Sequence, residues 1–325
     1  MRDRARLTVL NPGWLTTIQD LGRHGLQDCG MPVGGAMDRP ALVLANRLVG
    51  NPDQAAVLEC TVKGPELRCD TDVVLAVTGA DLSAAIDGHT VPLWTSVAAM
   101  AGSRITFGAR RSGARSYLAI AGGFEVPVVL GSCSTHLPSG TGGFDGRRLG
   151  VGDRLVGGEE SSPAQATVGR SVPESARAFY RESGPLRILP GPQLDRFVPG
   201  ALDVLTSGSY RLTGRSDRMG YRLEGVPLTH RPGPEWISDG TVMGALQIVR
   251  DGQPILLMAD CQTAGGYPKA AVVITADLPR AAQLLPGDSV SFQLTTLKEA
   301  QAVWRARWDG FDRALPPDPS IRRRV

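Results

Sequence analysis

A chain of 325 residues is long enough for two hydrophobic cores, so its length favours a two-domain or duplicated architecture. The 35 basic residues are interspersed with 32 acidic ones, for a formal charge of +3, and no basic stripe suited to nucleic-acid binding is present. Forty glycines and 24 prolines separate short apolar runs, which is typical of a mainly β protein with a few helices.

The five cysteines lack metal-ligand spacing, and no stretch approaches the roughly 20 apolar residues of a membrane span. The N-terminal segment has no apolar signal core. We therefore expect a reduced, cytoplasmic protein that binds neither metal, membrane nor nucleic acid. The arginines at 322–324 are predicted to form a solvated tail.

The first predicted strand spans 7–10, and a polar loop with Gln19, Asp20 and Arg23 follows it. Such a loop can bind a small polar ligand, or its acid and arginine can pair at the surface; the sequence leaves both open. Asp38 is a suitable N-cap for a helix over 39–49, and Arg39 is its first residue. The apolar face of this helix should plug a barrel end or cover a sheet.

Strand patterns dominate the rest of the N-terminal half, at 73–77, 83–86, 104–107 and 116–121. Asp87-Gly88 predicts a hairpin turn. The glycine-rich segment 131–152 is expected to be a long ordered loop at a barrel mouth. The polar segment 158–184 is predicted to be a domain linker, which divides the chain into an N-terminal domain at 1–157 and a C-terminal domain at 185–325.

In the C-terminal half, strands are predicted at 186–190 and 209–212, with a short helix at 193–198 between them. A second polar loop at 216–223 contains Asp217 and Arg218. A terminal helix is predicted over 298–309. Because several segments of the two halves are similar in order and character, we expect a duplicated β domain whose polar loops face one shared cleft.

The most informative stretch is 251–277, where two apolar runs, 254–259 and 270–276, flank the decapeptide Asp260–Lys269. The decapeptide combines an acid, an amide, a hydroxyl, two glycines, a phenol and an ammonium group, a variety typical of a binding site. Its glycines can bring backbone N–H groups close to a ligand or permit positive φ. The alternative interpretation is a hairpin turn between two adjacent strands.

Five sequence blocks, at 15–23, 35–39, 44–52, 216–223 and 260–269, resemble the biotin-dependent carboxyltransferase, or allophanate hydrolase subunit 2, family. The resemblance implies two tandem cyclophilin-like β-barrel domains. The bacterial stand-alone members of this family are the C subunits of the ATP-dependent 5-oxoprolinase, and the carboxyltransferase domain of urea carboxylase is a relative. A partner that resembles the B subunit of 5-oxoprolinase is therefore implied, with the A subunit as a third component.

Two positions depart from the family decapeptide: Cys261 and Ala264 replace an arginine and a threonine. Losing a charged hydrogen bond to a substrate carboxylate or to carboxybiotin would cost roughly 1.5–3 kcal/mol, so the substrate becomes uncertain. The sequence also lacks a biotinylation signature and an ATP-grasp-like loop. We expect no covalent cofactor on this chain, ATP use by the complex, and carboxybiotin as a possible co-substrate.

The resemblance and the residue chemistry together give a candidate site. Cationic side chains and glycine N–H groups can stabilise the charge that develops when a lactam opens, and a carboxylate can act as a base. An internal salt bridge that holds a loop is the alternative for each carboxylate. The predicted catalytic residues are Lys269, Asp260, Asp217 and Arg218, and the predicted substrate-binding residues are Gln19, Asp20, Arg23, Asp38, Arg39, Gln262, Thr263, Gly265, Gly266 and Tyr267.

Three functions are compatible with the sequence. The first is membership of an ATP-dependent 5-oxoprolinase complex, which hydrolyses the cyclic amide of 5-oxoproline to glutamate and in which this chain acts together with the A and B subunits. The second is a carboxyltransferase module that acts on urea or a related amide with carboxybiotin from another protein. The third is a non-catalytic regulatory protein that binds a partner resembling a sporulation-kinase antagonist.

Overall fold

The computed structural model describes residues 4–160, 164–233 and 237–317. The chain divides into two compact units. The first unit comprises Met1–Arg23, Asp38–Ala178 and Asp309–Val325, and the second comprises His24–Met37 and Phe179–Trp308. These units differ from the expected domains in two segments. Residues 24–37, from the N-terminal half, belong to the second unit, and residues 309–325, from the C-terminal half, belong to the first. The predicted arginine tail at 322–324 lies outside the described residues.

The strands of the first unit form two sheets. The first sheet has the order β11-β1-β4-β9-β6-β7, and the second has the order β2-β3-β10-β5-β8. Strands β1 to β11 are Arg6–Asn11, Leu15–Gln19, Val57–Thr61, Glu66–Cys69, Val73–Asp81, Ala84–Ile86, His89–Thr90, Ser96–Ala99, Arg104–Phe107, Ser112–Ile120 and Arg154–Val156. Leu7 and Ile105 from the first sheet pack with Leu75 and Leu118 from the second in one core.

The predicted helix of the first unit is confirmed as α1, Arg39–Leu48. The Asp38 side chain accepts a hydrogen bond from Ala41 N–H (3.1 Å), as expected for an N-cap. Helix α1 packs on β5 and β10, and Thr78 Oγ1 donates to the Ala41 carbonyl (2.7 Å). The helix therefore covers a sheet, one of the two positions expected from its apolar face.

The second unit contains a closed barrel with the strand order β12-β19-β16-β17-β14-β13-β20. Strands β12 to β20 are Leu186–Pro190, Ser209–Leu212, Gly220–Glu224, Asp239–Gly240, Ala245–Ile248, Pro254–Leu257, Ala264–Gly265, Lys269–Val273 and Ser289–Leu294. Buried side chains that include Ile188, Tyr210, Tyr221, Leu246 and Phe292 fill its core. The mainly β fold class is confirmed.

Further helices are α2 (Glu174–Arg177), α3 (Ala201–Ser207), α4 (Leu278–Ala281) and α5 (Leu297–Ala314). Helix α5 confirms the predicted terminal helix but is longer than expected, because its pattern continues through Phe311, a buried residue. The helix expected at 193–198 is a single 3-10 turn, Leu194–Arg196. No helix within the described residues is long and apolar enough to cross a membrane.

The predicted hairpin at Asp87-Gly88 is confirmed. Residues Ile86 and His89 face each other in antiparallel strands, and both turn residues have positive φ (48° and 81°). These angles correspond to a two-residue turn whose twist matches that of the flanking strands.

The described part of the predicted linker belongs to the first unit as far as Ala178 and is packed there. Ser96 N–H donates to the Arg170 carbonyl and Val172 N–H donates to the Trp94 carbonyl, both at 2.9 Å, and Thr167 and Val172 are buried. Within this segment the chain passes from the first unit to the second between Ala178 and Phe179. The described residues of this segment form no named strand, as its composition predicted, but they are held by hydrogen bonds and burial.

We expect Arg47→Ala to destabilise the first unit. The guanidinium of this buried α1 residue binds both carboxylate oxygens of Asp53 (2.7 and 2.8 Å), Asp312 Oδ1 (2.9 Å) and the Leu315 carbonyl (3.0 Å). Both carboxylates are partly exposed, so the loss in unfolding free energy should be roughly 2–3 kcal/mol, below that of a fully buried pair. Urea denaturation measures it. Arg104→Ala, which breaks an exposed pair with Glu66, is the control and should cost at most about 1 kcal/mol.

Candidate functional site

The decapeptide 260–269 connects two strands of the barrel that are not neighbours. Strand β17 precedes it and β19 follows it, and both pair with β16, which lies between them. The hairpin alternative is therefore wrong. Residues Ala264–Gly265, which form β18 in the middle of the decapeptide, pair with Asp239–Gly240, β15, in a two-stranded ribbon.

Lys269 is the first residue of β19, and only 4% of its side chain is exposed. Its Nζ donates to Asp239 Oδ2 (3.2 Å), and its backbone N–H donates to Gln193 Oε1 (3.0 Å). The hydrogen bond from Lys269 lowers the pKa of the Asp239 carboxyl. An ammonium group with three donors is thus held at the barrel end against one carboxylate oxygen.

Arg218 and Asp260 form a buried, bidentate ion pair. Arg218 Nε donates to Asp260 Oδ2 (2.8 Å), and Nη2 donates to Oδ1 (3.0 Å) and to the Gly35 carbonyl (2.6 Å). The backbones of the two residues are also hydrogen-bonded, since Asp260 N–H donates to the Arg218 carbonyl (2.9 Å). This is the salt-bridge arrangement left open for Asp260. It ties the loops at 216–223 and 260–269 and the segment 24–37 together, and a catalytic role for the pair stays a prediction.

Asp217 lies in an exposed turn. Its Oδ1 accepts hydrogen bonds from the backbone N–H groups of Met219 (2.8 Å) and Gly220 (3.2 Å). This arrangement holds the turn that leads into β14. The contacts of Asp217 are therefore structural, and its predicted catalytic role has no support from them.

The remaining predicted residues of the decapeptide pack against Gln247 and Thr241. Gln262 Nε2 donates to Gln247 Oε1 (3.2 Å), and Gln247 Nε2 donates to the Tyr267 carbonyl (3.3 Å). Thr241 N–H donates to the Thr263 carbonyl (2.9 Å). Tyr267 is 40% exposed, so its phenol ring is accessible to a ligand.

Neither Gly265 nor Gly266 has a positive φ, so the positive-φ explanation does not apply, and close approach to a ligand stays a prediction. A Cβ at Gly265 would lie 2.6 Å from Gln247 Nε2 and 3.0 Å from Gln262 Nε2. Gly265 therefore allows two side-chain amides to pack against the ribbon. Gly266 continues the chain towards Tyr267.

Cys261 occupies a small apolar cluster with Ala245 and Leu257. Burial raises the pKa of its thiol to about 11, so the side chain is neutral at physiological pH. A buried thiol of this kind behaves as a small apolar side chain. Ala264, the other departure from the family decapeptide, is exposed on the ribbon.

In the first unit, Asp20 and Arg23 are buried, so a surface pair between them is excluded. Asp20 accepts hydrogen bonds from Ser132 Oγ (2.6 Å), Ser134 Oγ and the N–H of Cys133 (2.6 Å). Arg23 Nε donates to the Val129 carbonyl (3.1 Å) and Nη2 to the Ser134 carbonyl. Gln19 Nε2 donates to the Thr135 carbonyl (3.1 Å). The three side chains organise the glycine-rich loop, as the expectation of an ordered loop at 131–152 requires.

Asp38 and Arg39 lie at the start of α1. The Asp38 N–H donates to Tyr117 Oη (2.8 Å), which donates to Glu59 Oε2 (2.7 Å). Burial lowers the pKa of the Arg39 guanidinium, although the nearby Asp20 carboxylate raises it. Arg39 Nε is enclosed and has no acceptor among the described residues. Asp38 is thus a helix cap, and a ligand-binding role for Arg39 stays a prediction.

The predicted site residues fall into two groups. Those of the decapeptide lie in the second unit with Asp217 and Arg218, and the first unit holds the others: Gln19, Asp20, Arg23, Asp38 and Arg39. The structure also adds three residues that the sequence reasoning missed: Asp239, Gln193 and Gln247. The Asp-Gly dipeptide at 239–240 is a turn signal, but nothing near it in the sequence indicates contact with Lys269. A cleft shared by both halves stays a prediction, as does the assignment of each residue to substrate binding or catalysis.

The family model described as the carboxyltransferase domain, subdomain A and B, matches residues 29–294. The chain belongs to this family. The C subunit of 5-oxoprolinase from Escherichia coli is 40% identical over 90% of this chain and 93% of its own length. The corresponding 5-oxoprolinase C subunit of Haemophilus influenzae is 36% identical over 92% of this chain and 94% of its own length.

Among solved structures, the urea amidolyase of K. lactis matches 100% of this carboxyltransferase-family chain with a TM-score of 0.88 and 27% identity. This chain spans 21% of the urea amidolyase chain. The family assignment and this structural likeness agree with the mainly β fold and its closed barrel.

Proposed function

We propose that this chain belongs to an ATP-dependent 5-oxoprolinase complex and takes part in hydrolysing the cyclic amide of 5-oxoproline to glutamate. The observation that carries the proposal is the 40% identity to a 5-oxoprolinase C subunit over nearly the full length of both chains. The A subunit and a B-subunit-like protein are the proposed partners. The proposed activity belongs to the complex, with ATP used there.

The chemistry of the second unit supports this proposal. Lactam opening requires amide resonance to be overcome, either by phosphorylation of the oxygen or by stabilisation of the charge that develops on it. Lys269 offers a positioned ammonium group, Tyr267 offers an exposed ring, and the Gly265 backbone lies on the neighbouring ribbon. In the first unit Arg39 offers a second cation. We assign these residues to substrate binding and charge stabilisation.

A carboxyltransferase module for urea or a related amide is the second candidate. The structural likeness to the K. lactis urea amidolyase favours it, as does the family description. Carboxybiotin would then be a co-substrate carried by another protein. Because this chain spans only 21% of the urea amidolyase chain, the activity of that whole protein is not transferred here.

We expect the chain to co-purify with a B-subunit-like protein when the two are co-expressed, and to show little activity alone. The purified complex, once the A subunit is added, should form glutamate from 5-oxoproline and ATP. Urea with a biotinylated carrier should not be carboxylated. Carboxylation of urea without glutamate formation would favour the second candidate, and a fully active single chain would contradict the assignment to a complex.

A further inference from the structure

We propose that Asp239 is an internal counter-anion for Lys269, which a small carboxylate ligand displaces on binding. If the proposed function holds, the ligand group is the carboxylate of 5-oxoproline, so this part of the inference rests on the proposed function. Neither Asp239 nor Gln193 belongs to the decapeptide from which the site was predicted. Asp239 competes with the ligand for Lys269, whereas Gln193 binds the ligand.

The ammonium group of Lys269 is enclosed and has one carboxylate oxygen as its acceptor. The lysine side chain is 4% exposed, and Asp239 Oδ2 is the acceptor that the described residues offer its Nζ. An ammonium group has three N–H donors, so two remain available to a ligand. Charge enclosed in this way is costly unless it is paired. The ammonium therefore has unused binding capacity for an anion.

Gln193 places a further hydrogen-bond donor beside the lysine. Its Oε1 accepts the Lys269 backbone N–H (3.0 Å), which determines the orientation of the amide. Its Nε2 consequently faces Asp239 Oδ2, at 3.4 Å. Lys269 Nζ and Gln193 Nε2 thus converge on one carboxylate oxygen. Two donors that already accommodate a carboxylate suit the carboxylate of a ligand.

Asp239 lies at an exposed position outside the barrel strands. Its side chain is 58% exposed, and the residue lies in the two-residue strand β15, which pairs with the equally short β18. Ile237 and Val242, on either side of β15, are also exposed. The exposed Asp239 carboxylate can therefore turn towards solvent without displacing the barrel strands. Lys269 and Gln193, by contrast, are held at the barrel by β19 and by the turn that follows β12.

Binding can be tested on the purified full chain without any assumption about catalysis. Melting temperatures are compared at constant ionic strength with sodium chloride or sodium acetate, for the wild type and for Asp239→Asn. In the variant the ammonium has lost its counter-anion, so acetate should raise the melting temperature by at least about 2 °C more than in the wild type. The same acetate response in both proteins would overturn the proposal.

Two further variants show where acetate acts. Glu224→Gln removes an equal charge from an exposed pair with Arg215 in the same unit and should respond to acetate as the wild type does. Adding Lys269→Met to Asp239→Asn should abolish the extra acetate response. An extra response that persists in the double variant, or appears in Glu224→Gln, would show non-specific binding and overturn the proposal.

Kinetics of the assembled complex test the identity of the ligand. Asp239→Asn should lower KM for 5-oxoproline by about 3- to 10-fold, because the substrate no longer competes with an internal carboxylate. Binding of 2-pyrrolidinone, the lactam without the carboxylate, should not improve. An unchanged or raised KM would contradict displacement by 5-oxoproline. If the wild-type complex does not cleave 5-oxoproline, the proposed function fails, and the acetate comparison still decides whether Asp239 is displaced.

Discussion

Lys269→Met will lower kcat/KM for ATP-dependent 5-oxoproline cleavage by the assembled complex by about 10²–10³. The substitution removes the ammonium group but keeps an unbranched stem of similar length in a position where the side chain is buried. A substrate anion would then be left without its positioned partner. The measurement is the rate of glutamate formation at low 5-oxoproline concentration, with equal amounts of intact complex.

Stability, assembly and turnover, measured on the same preparation, distinguish a functional role of Lys269 from a structural one. If Lys269 only stabilises the barrel end, the variant will show a lowered melting temperature or weaker assembly but near-normal turnover per intact complex. Glu224→Gln is the control for a charge change in the same unit. Unchanged turnover in Lys269→Met would remove this residue from the catalytic assignment.

Asp260→Ala will destabilise the second unit by about 3–5 kcal/mol, because it leaves the Arg218 guanidinium in a buried position without its bidentate carboxylate. Arg218 would keep its hydrogen bond to the Gly35 carbonyl, but a single carbonyl does not neutralise its charge. The expected result is a lowered midpoint of urea denaturation. Faster proteolysis within 24–37 should accompany it, since Arg218 binds that segment.

Asp195→Ala provides the control for this prediction, since it removes an exposed carboxylate 3.7 Å from Arg196 and should cost at most about 1 kcal/mol. A loss of stability in Asp260→Ala no larger than in the control would contradict a structural role for the buried pair. If stability is retained while turnover is lost, Asp260 acts in the chemistry, as the sequence pattern predicts.

Features of the fold that depend on local chemistry could be predicted from the sequence. The Asp38 cap, the Asp87-Gly88 turn and strands such as Arg104–Phe107 depend on residues close to one another in the chain. The membership of 24–37 in the second unit could not be predicted. It depends on long-range contacts such as that between Arg218 and Gly35, which are 183 residues apart.

In the candidate site, too, the local features could be predicted from the sequence and the long-range contacts could not. The decapeptide is conspicuous because its polar residues are contiguous, and Lys269 stands out within it because it follows Pro268 and is one of three lysines in the chain. Asp239 and Gln193 were missed because they are 30 and 76 residues from the lysine, and each is unremarkable in its own sequence context. The decapeptide also could not reveal that β16 lies between its flanking strands, since pairing in a barrel is not a local property.

We propose that this chain is a necessary component for 5-oxoproline cleavage. An add-back experiment tests it most directly: the A subunit and the B-subunit-like protein are mixed with 5-oxoproline and ATP, and this chain is titrated into the mixture. We predict that glutamate formation is very low without the chain and rises until the chain is stoichiometric with its partners. Full activity without the chain, or no activity at any amount of it, would contradict the account.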